Sequence, residues 1–314
     1  MGDNVIAYNY KQAQLTVLPD RGRVLQVSMD GHNAFWVNTA PDGGWNVGGD
    51  RLWLGPENDW NWQTTGPADF AKYAVPGAMD PGAWVVVEST DTGCMLRHSG
   101  TIRATTSDRA LSFTVERSIA IVEEASPRYF SSFIAYQTTN TLHVDDSVAG
   151  ATADLWILAQ VPGGGQLIVG TRMRPEIRHY FGDLPDSMRT LSHGSISFDI
   201  TGDHMYKAGI APEHLTGRMA YARQIDGGRL VLYRKIHPKP WLEYCDRPLE
   251  SQTPHGDAFQ VYNDGGEFGG FGEMEHHSPR VALGAGAGSV TDTYTTIVGI
   301  VTDEDWANWR SFWL

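Results

Sequence analysis

Apolar and polar residues alternate with a period of two along most of the chain, and Gly, Pro, Asn or Asp interrupt the alternation about every ten residues. Such a period sends successive side chains to opposite faces of an extended backbone, so the pattern predicts strands rather than helices. Strands are predicted over residues 5–10, 23–29, 83–89, 110–122, 128–138, 154–161, 195–200 and 290–301. A further pair, 217–225 and 228–236, meets at Asp226-Gly227-Gly228, where glycine supplies the positive φ of a tight hairpin. Helical periodicity is confined to 68–75 and to the tail 303–312. Thr302 is the expected N-cap of that tail, with Asp303, Glu304 and Asp305 favourable to its first turn. Trp306, Trp309 and Trp313 then form one apolar stripe, expected to pack on the body. No Pro-, Ser- or charge-rich linker and no long repeat divides the sequence, so residues 1–314 are expected to form one all-β unit.

Composition narrows the class of partner. The chain is 41% hydrophobic and 19% charged, with a net charge of −13. That acidity argues against duplex nucleic acid, which needs clustered Lys and Arg. No apolar run approaches the roughly 18 residues of a membrane span. The first residues carry neither a basic start nor an apolar stretch, which predicts a cytoplasmic protein, or a periplasmic or secreted one if a leader precedes them. Cys94 and Cys245 stand apart without metal-type spacing. Neither a phosphate loop, a dinucleotide fingerprint, a nucleophile elbow nor a zincin helix occurs, so no cofactor is predicted.

Two segments concentrate polar chemistry. In Phe271-Gly-Glu-Met-Glu-His-His277, alternation puts Glu273, Glu275 and His277 on one face and Met274 and His276 on the other. Glu273 and Glu275 would lie roughly 7 Å apart, close enough for one proton affinity to rise against the other. A metal held by this strand alone is disfavoured, because Glu273 and His277 are separated by about 13 Å. The alternative is a solvated edge strand, with His276 a core histidine. The second segment, Gly48 to Gln63, sets Arg51 and Trp53 on one strand face and follows them with Glu57, Trp60 and Trp62. Flat rings mixed with hydrogen-bonding groups suit a sugar, which offers C–H surfaces and hydroxyls. Their alternative is a core role for the tryptophans and an Arg51–Glu57 ion pair. Tyr206 and Lys207 point to opposite faces of one strand, and burial of Lys207 would lower its pKa. His193 sits beside a glycine at a strand entrance.

The ordered motifs GGDRLWLGPE, LWILAQVPGGGQLIVGT, YKAGI, YARQIDGGRLVLYRK, FQVYND and FGEMEHHSP resemble those of the galactose mutarotase-like β-supersandwich proteins, over about residues 15–306. The resemblance implies two large antiparallel sheets and a carbohydrate site on one of them. It also implies a glutamate base, matched by Glu275 with Glu273 competing, an arginine matched by Arg51, and a mid-chain histidine acid loosely matched by His193; His277, on the face of the two glutamates, is the alternative acid. The Asn-His sugar motif of the true epimerases is absent. Trp53, Glu57, Trp60, Trp62, Tyr206, Lys207 and His276 are the expected sugar contacts. The expected partner is a neutral or acidic mono- or oligosaccharide, handled by epimerase-like acid–base chemistry. Two alternatives accompany it: a lyase on an acidic glycan, and binding without catalysis.

Overall fold

A computed structural model of the chain describes residues 5–39, 46–123, 127–251, 253, 255–284 and 286–314. Two ten-stranded antiparallel sheets dominate it. The first runs, in spatial order, Ile6–Tyr10, Ala13–Leu18, Arg23–Met29, Asp50–Gly55, Asp154–Pro162, Phe271–His277, Phe259–Asn263, Tyr206–Ile210 and Arg178–Gly182, with the short His32–Asn33 strand beside Arg23–Met29. The second runs Arg189–Ser192, Ser195–Ile200, Gly165–Thr171, Leu215–Ile225, Gly228–Lys235, Gly288–Thr302, Ser132–Val148, Ala110–Ile121, Gly93–Arg103 and Val85–Ser89. One hydrophobic cluster draws on both sheets, so the fold is the all-β sandwich that the alternation predicts. Leu215–Ile225 and Gly228–Lys235 close as the expected hairpin, with Ile225 opposite Gly228 and Gly227 at φ 76°.

Two local expectations change. The segment 68–75 forms no α-helix. Only Phe70–Lys72 makes a 3-10 turn, capped by the Asp69 side chain on the Ala71 amide. At the tail the helix is Trp306–Trp313 and begins after Asp305. Thr302 Oγ1 accepts from the Asp305 amide, so it closes the turn before the helix instead of capping the first helical residues. The aromatic stripe docks as expected: Trp309 is fully buried, with edge-on rings from Phe130 and Tyr233 and a stacked Trp306 at 5.3 Å. Trp309→Ala is expected to cost about 3–5 kcal/mol. Urea unfolding of the variant checks this, and a loss below about 1 kcal/mol would show that the helix contributes little to the sandwich.

The position of the charged strand matters most for function. Phe271–His277 lies centrally, hydrogen-bonded on both sides, and all seven of its residues are buried. It is not an edge strand. Asp50 reaches Arg234 and His276 reaches Asp292, both on the second sheet. The faces carrying those two residues therefore look into the sandwich. Arg51, Glu273 and Glu275 necessarily look the other way, onto the outer face of the first sheet. Cys94 and Cys245 are both free. No helix among the described residues is long and apolar enough to cross a membrane.

Candidate active site

Strand register assembles the site. Gln160, Glu273, Tyr262 and Lys207 stand opposite one another across four neighbouring strands, and so do Arg51, Leu158, Glu275 and Gln260 one step along. Trp53, Trp156 and His277 form the third row. Neighbouring rows on the same face lie one pleat apart, so long side chains meet diagonally. Arg51 thus reaches Glu273 at 2.7 Å, and Lys207 reaches Glu275 at 3.3 Å.

Over these rows lies a cleft which, including its open mouth, holds about 390 Å³. Its floor is made by Arg51, Trp53, Trp156, Leu158, Lys207 and Glu273, with Tyr262 and Phe271 beside them. Glu57, at the start of the short helix Glu57–Trp60, closes one side, and Phe70, Tyr73, Phe181 and Phe268 supply the rest of the wall. Trp62 meets Phe70, Tyr73 and Phe181 edge-on and backs that wall as a second aromatic layer.

Charge in the cleft is arranged in two pairs. The Arg51 guanidinium donates to Glu273 and, at 3.3 Å, to Asn46 Oδ1, while its Cζ lies 3.8 Å from the centre of the Trp53 ring. Lys207 Nζ donates to Glu57 Oε2 at 2.9 Å and lies 4.5 Å from the Trp156 ring. Glu275 Oε2 takes the Trp156 indole N–H at 2.6 Å. Burial lifts the Glu273 carboxyl to about 7 against the pull of Arg51, and repulsion from Glu275 adds to the lift. Glu57 is raised as well, first by burial and against the pull of Lys207. Burial works against the Lys207 ammonium, but Glu275, Glu57 and Asp246 together hold it above its ordinary value. The lowered lysine pKa expected from burial alone is thus corrected: three carboxylates outweigh desolvation.

Several sequence-predicted residues take other places. Glu275 is wholly buried and does not line the cleft, so of the two glutamates Glu273 faces the space. His277 stacks on Trp156 at 5.5 Å and donates or accepts through Nδ1 with Asp154 Oδ1 at 3.1 Å, outside the cleft lining. Burial opposes its charge most strongly, yet Asp154, Asp246 and Glu275 together hold it above the usual histidine value. His276 points into the sandwich, where Asp292 and the Tyr294 ring hold it and burial lowers its pKa. Tyr206 also faces inward, donating to the Asp199 carbonyl. His193 is exposed in the turn between Arg189–Ser192 and Ser195–Ile200, on the other sheet. Trp60 is a core residue whose indole donates to the Gly55 carbonyl. The expected Arg51–Glu57 pair is replaced by Arg51–Glu273 and Glu57–Lys207. No histidine lines the cleft among the described residues.

Trp156, Tyr73, Tyr262 and the phenylalanine walls escaped the sequence reading. For Trp156 a signal existed: positions 154, 156, 158 and 160 read Asp, Trp, Leu, Gln, too polar for the inward face of a sandwich strand. Asp246 had none. It lies in an irregular segment, yet it accepts from the Glu57 amide at 2.7 Å and from Gln260, anchoring the Glu57 turn to the sheet.

Three solved structures share this shape. A galactose mutarotase-like protein from Lactobacillus casei ATCC 334 superposes with TM-score 0.54 at 11% identity, covering 94% of this chain and 100% of that one. An Escherichia coli K12 structure provisionally assigned as an aldose 1-epimerase gives 0.59 at 12% identity, with 95% and 99% covered. A galactose mutarotase related enzyme from Lactobacillus acidophilus gives 0.52 at 8% identity, with 96% and 99% covered. At such identities the likeness establishes the galactose mutarotase-like fold and no more. No curated protein matches the sequence. A family model does match residues 3–298, and the chain belongs to that family, the family of unknown function DUF6786.

Proposed function

We propose that the protein binds a free aldose in the cleft above Phe271–His277 and interconverts its anomers. The observation that carries this reading is the juxtaposition of two carboxylate–cation pairs, Glu273 with Arg51 and Glu57 with Lys207, at one aromatic-walled cleft. The fold relatives named for galactose mutarotase and aldose 1-epimerase support a sugar as the ligand class.

Anomer exchange needs a proton taken from the C1 hydroxyl and a proton given to the ring oxygen. Glu273, with its pKa near 7, is suited to accept the first. As O1 loses its proton, the C1–O5 bond breaks, C1 becomes a carbonyl and O5 takes a proton. Lys207 supplies that proton or hydrogen-bonds the oxygen as charge develops on it, and Glu57 holds the ammonium in place. Rotation about C1–C2 and reversal of both transfers close the ring as the other anomer. Arg51 orients Glu273, and the aromatic walls exclude water from the open-chain aldehyde.

The test is exchange spectroscopy on a panel of free aldoses differing in configuration at C2, C3 and C4. Acceleration of α/β exchange for at least one is expected. No acceleration for any would sink the reading. Lys207→Met is expected to lower the accelerated rate about 100-fold, the scale of losing one preorganised donor, with the far-ultraviolet dichroism of the fold retained.

A further inference from the structure

The charge inventory of the cleft bears on which aldoses it admits. The cleft-facing cations are Arg51 and Lys207, and neither carries charge left unanswered. Arg51 is paired with Glu273 at 2.7 Å. Lys207 is paired with Glu57 at 2.9 Å and with Glu275 at 3.3 Å. Three carboxyl groups therefore meet two cations, and the negative excess grows as Glu273 ionises above about pH 7. The remaining lining is Leu158 and aromatic rings. Glu275 Oε1, fully buried, has no hydrogen-bond donor among the described residues.

An anionic substituent entering here would lose its hydration and meet an excess of carboxylate, with no free cation among the described residues to offset either penalty. An ammonium group meets the opposite conditions. It brings the positive charge that the cluster lacks, and ring faces attract a desolvated cation.

We infer that the cleft sorts aldoses by charge: an amino sugar is bound in preference to its neutral parent, and phosphorylated and uronic aldoses are excluded. This rests on the aldose reading above, and it replaces the acidic glycan among the partners expected from the sequence.

The test uses matched sets in the gluco, galacto and manno series: the neutral aldose, its 2-amino-2-deoxy analogue, its 6-phosphate and its uronic acid. Binding is read by saturation-transfer NMR and calorimetry at about pH 7.5, where most of Glu273 is ionised, and turnover by exchange spectroscopy on the same samples. In the series that binds, the amino sugar is expected to bind about 10-fold more tightly than the neutral sugar, the scale of one desolvated cation contact. The phosphate and the uronate are expected to show no saturable binding. Glu275→Gln, which removes one carboxylate from behind the lining, is expected to bring the ratio of amino to neutral sugar towards unity. A phosphate or uronate that binds as well as the neutral sugar overturns the inference, and so does a neutral sugar that binds as well as its amino analogue. Charge-ordered binding without accelerated exchange supports the inference while refuting anomer exchange, so the two failures are distinct.

Discussion

Glu273→Gln is expected to lower the rate of aldose anomer exchange by about 100-fold or more, since a positioned general base contributes about 10²–10⁴. Gln has nearly the same shape and keeps an oxygen that can accept from Arg51, so the floor of the cleft should survive. What it lacks is the ability to take a proton. The wild-type rate should also fall as pH drops through about 7, where burial has placed the Glu273 carboxyl, because only the ionised form is a base. That limb should vanish in the Gln variant. A variant with full activity, or one that keeps the limb, would remove Glu273 from the chemistry.

The same shift has a consequence of opposite sign for stability. A carboxyl whose pKa is raised in the folded state binds its proton more tightly there than in the unfolded chain. Its stabilising contribution is full below about 4.5 and is lost as pH rises to about 7. Conditions that arm the base are therefore the ones in which its burial costs stability. The melting temperature of Glu273→Gln should depend less on pH across that window than that of the wild type.

A large stability effect is expected at Asp50, which lies between the sheets and is fully buried. Its Oδ2 accepts from Arg234 at 2.7 Å and lies 3.6 Å from Arg117, and both guanidiniums are fully buried too. Asp50→Ala leaves two positive charges in the sandwich without their carboxylate and should cost about 3–5 kcal/mol, the scale for breaking a buried ion pair from one side. Equilibrium urea unfolding measures it. The triple replacement of Asp50 by Leu, Arg117 by Leu and Arg234 by Met should recover most of the loss, because no charge then remains to be desolvated. If Asp50→Ala alone costs less than about 1 kcal/mol, water or another group must solvate the arginines.

Asp50 and Arg51 are adjacent in sequence and serve opposite faces of one strand. That is the level at which the sequence was informative. Alternation sorted Arg51 from Asp50, Glu273 and Glu275 from His276, and Lys207 from Tyr206, because a period of two is a local property of an extended backbone. The residues on the Arg51 face of those strands are the ones that the structure brings together. Sequence likeness added the antiparallel two-sheet fold. It also carried over His193 as an acid, and the structure places that residue in an exposed turn of the second sheet, away from the cleft. A motif match transfers a residue type at a chain position, whereas reaching a site requires the sheet pairing that follows.

By itself, then, the sequence determined the fold class, the approximate boundaries of about half the strands and the relative facing of the polar side chains within the two charged segments. It also determined the acidity that disfavours nucleic acid. Only the tertiary structure decided which glutamate meets the cleft. It decided that Lys207 keeps its charge despite burial, that Arg51 serves Glu273 while Glu57 serves Lys207, and that His277 stands behind Trp156. Those outcomes depend on register between strands far apart in sequence, and on desolvation by the Phe70, Tyr73, Phe181 and Phe268 walls. A one-residue slip would turn every side chain to the other face. No pattern within a single strand encodes its neighbour, and so the pairing of charges, from which the proposed chemistry follows, emerged only when the sheet was closed.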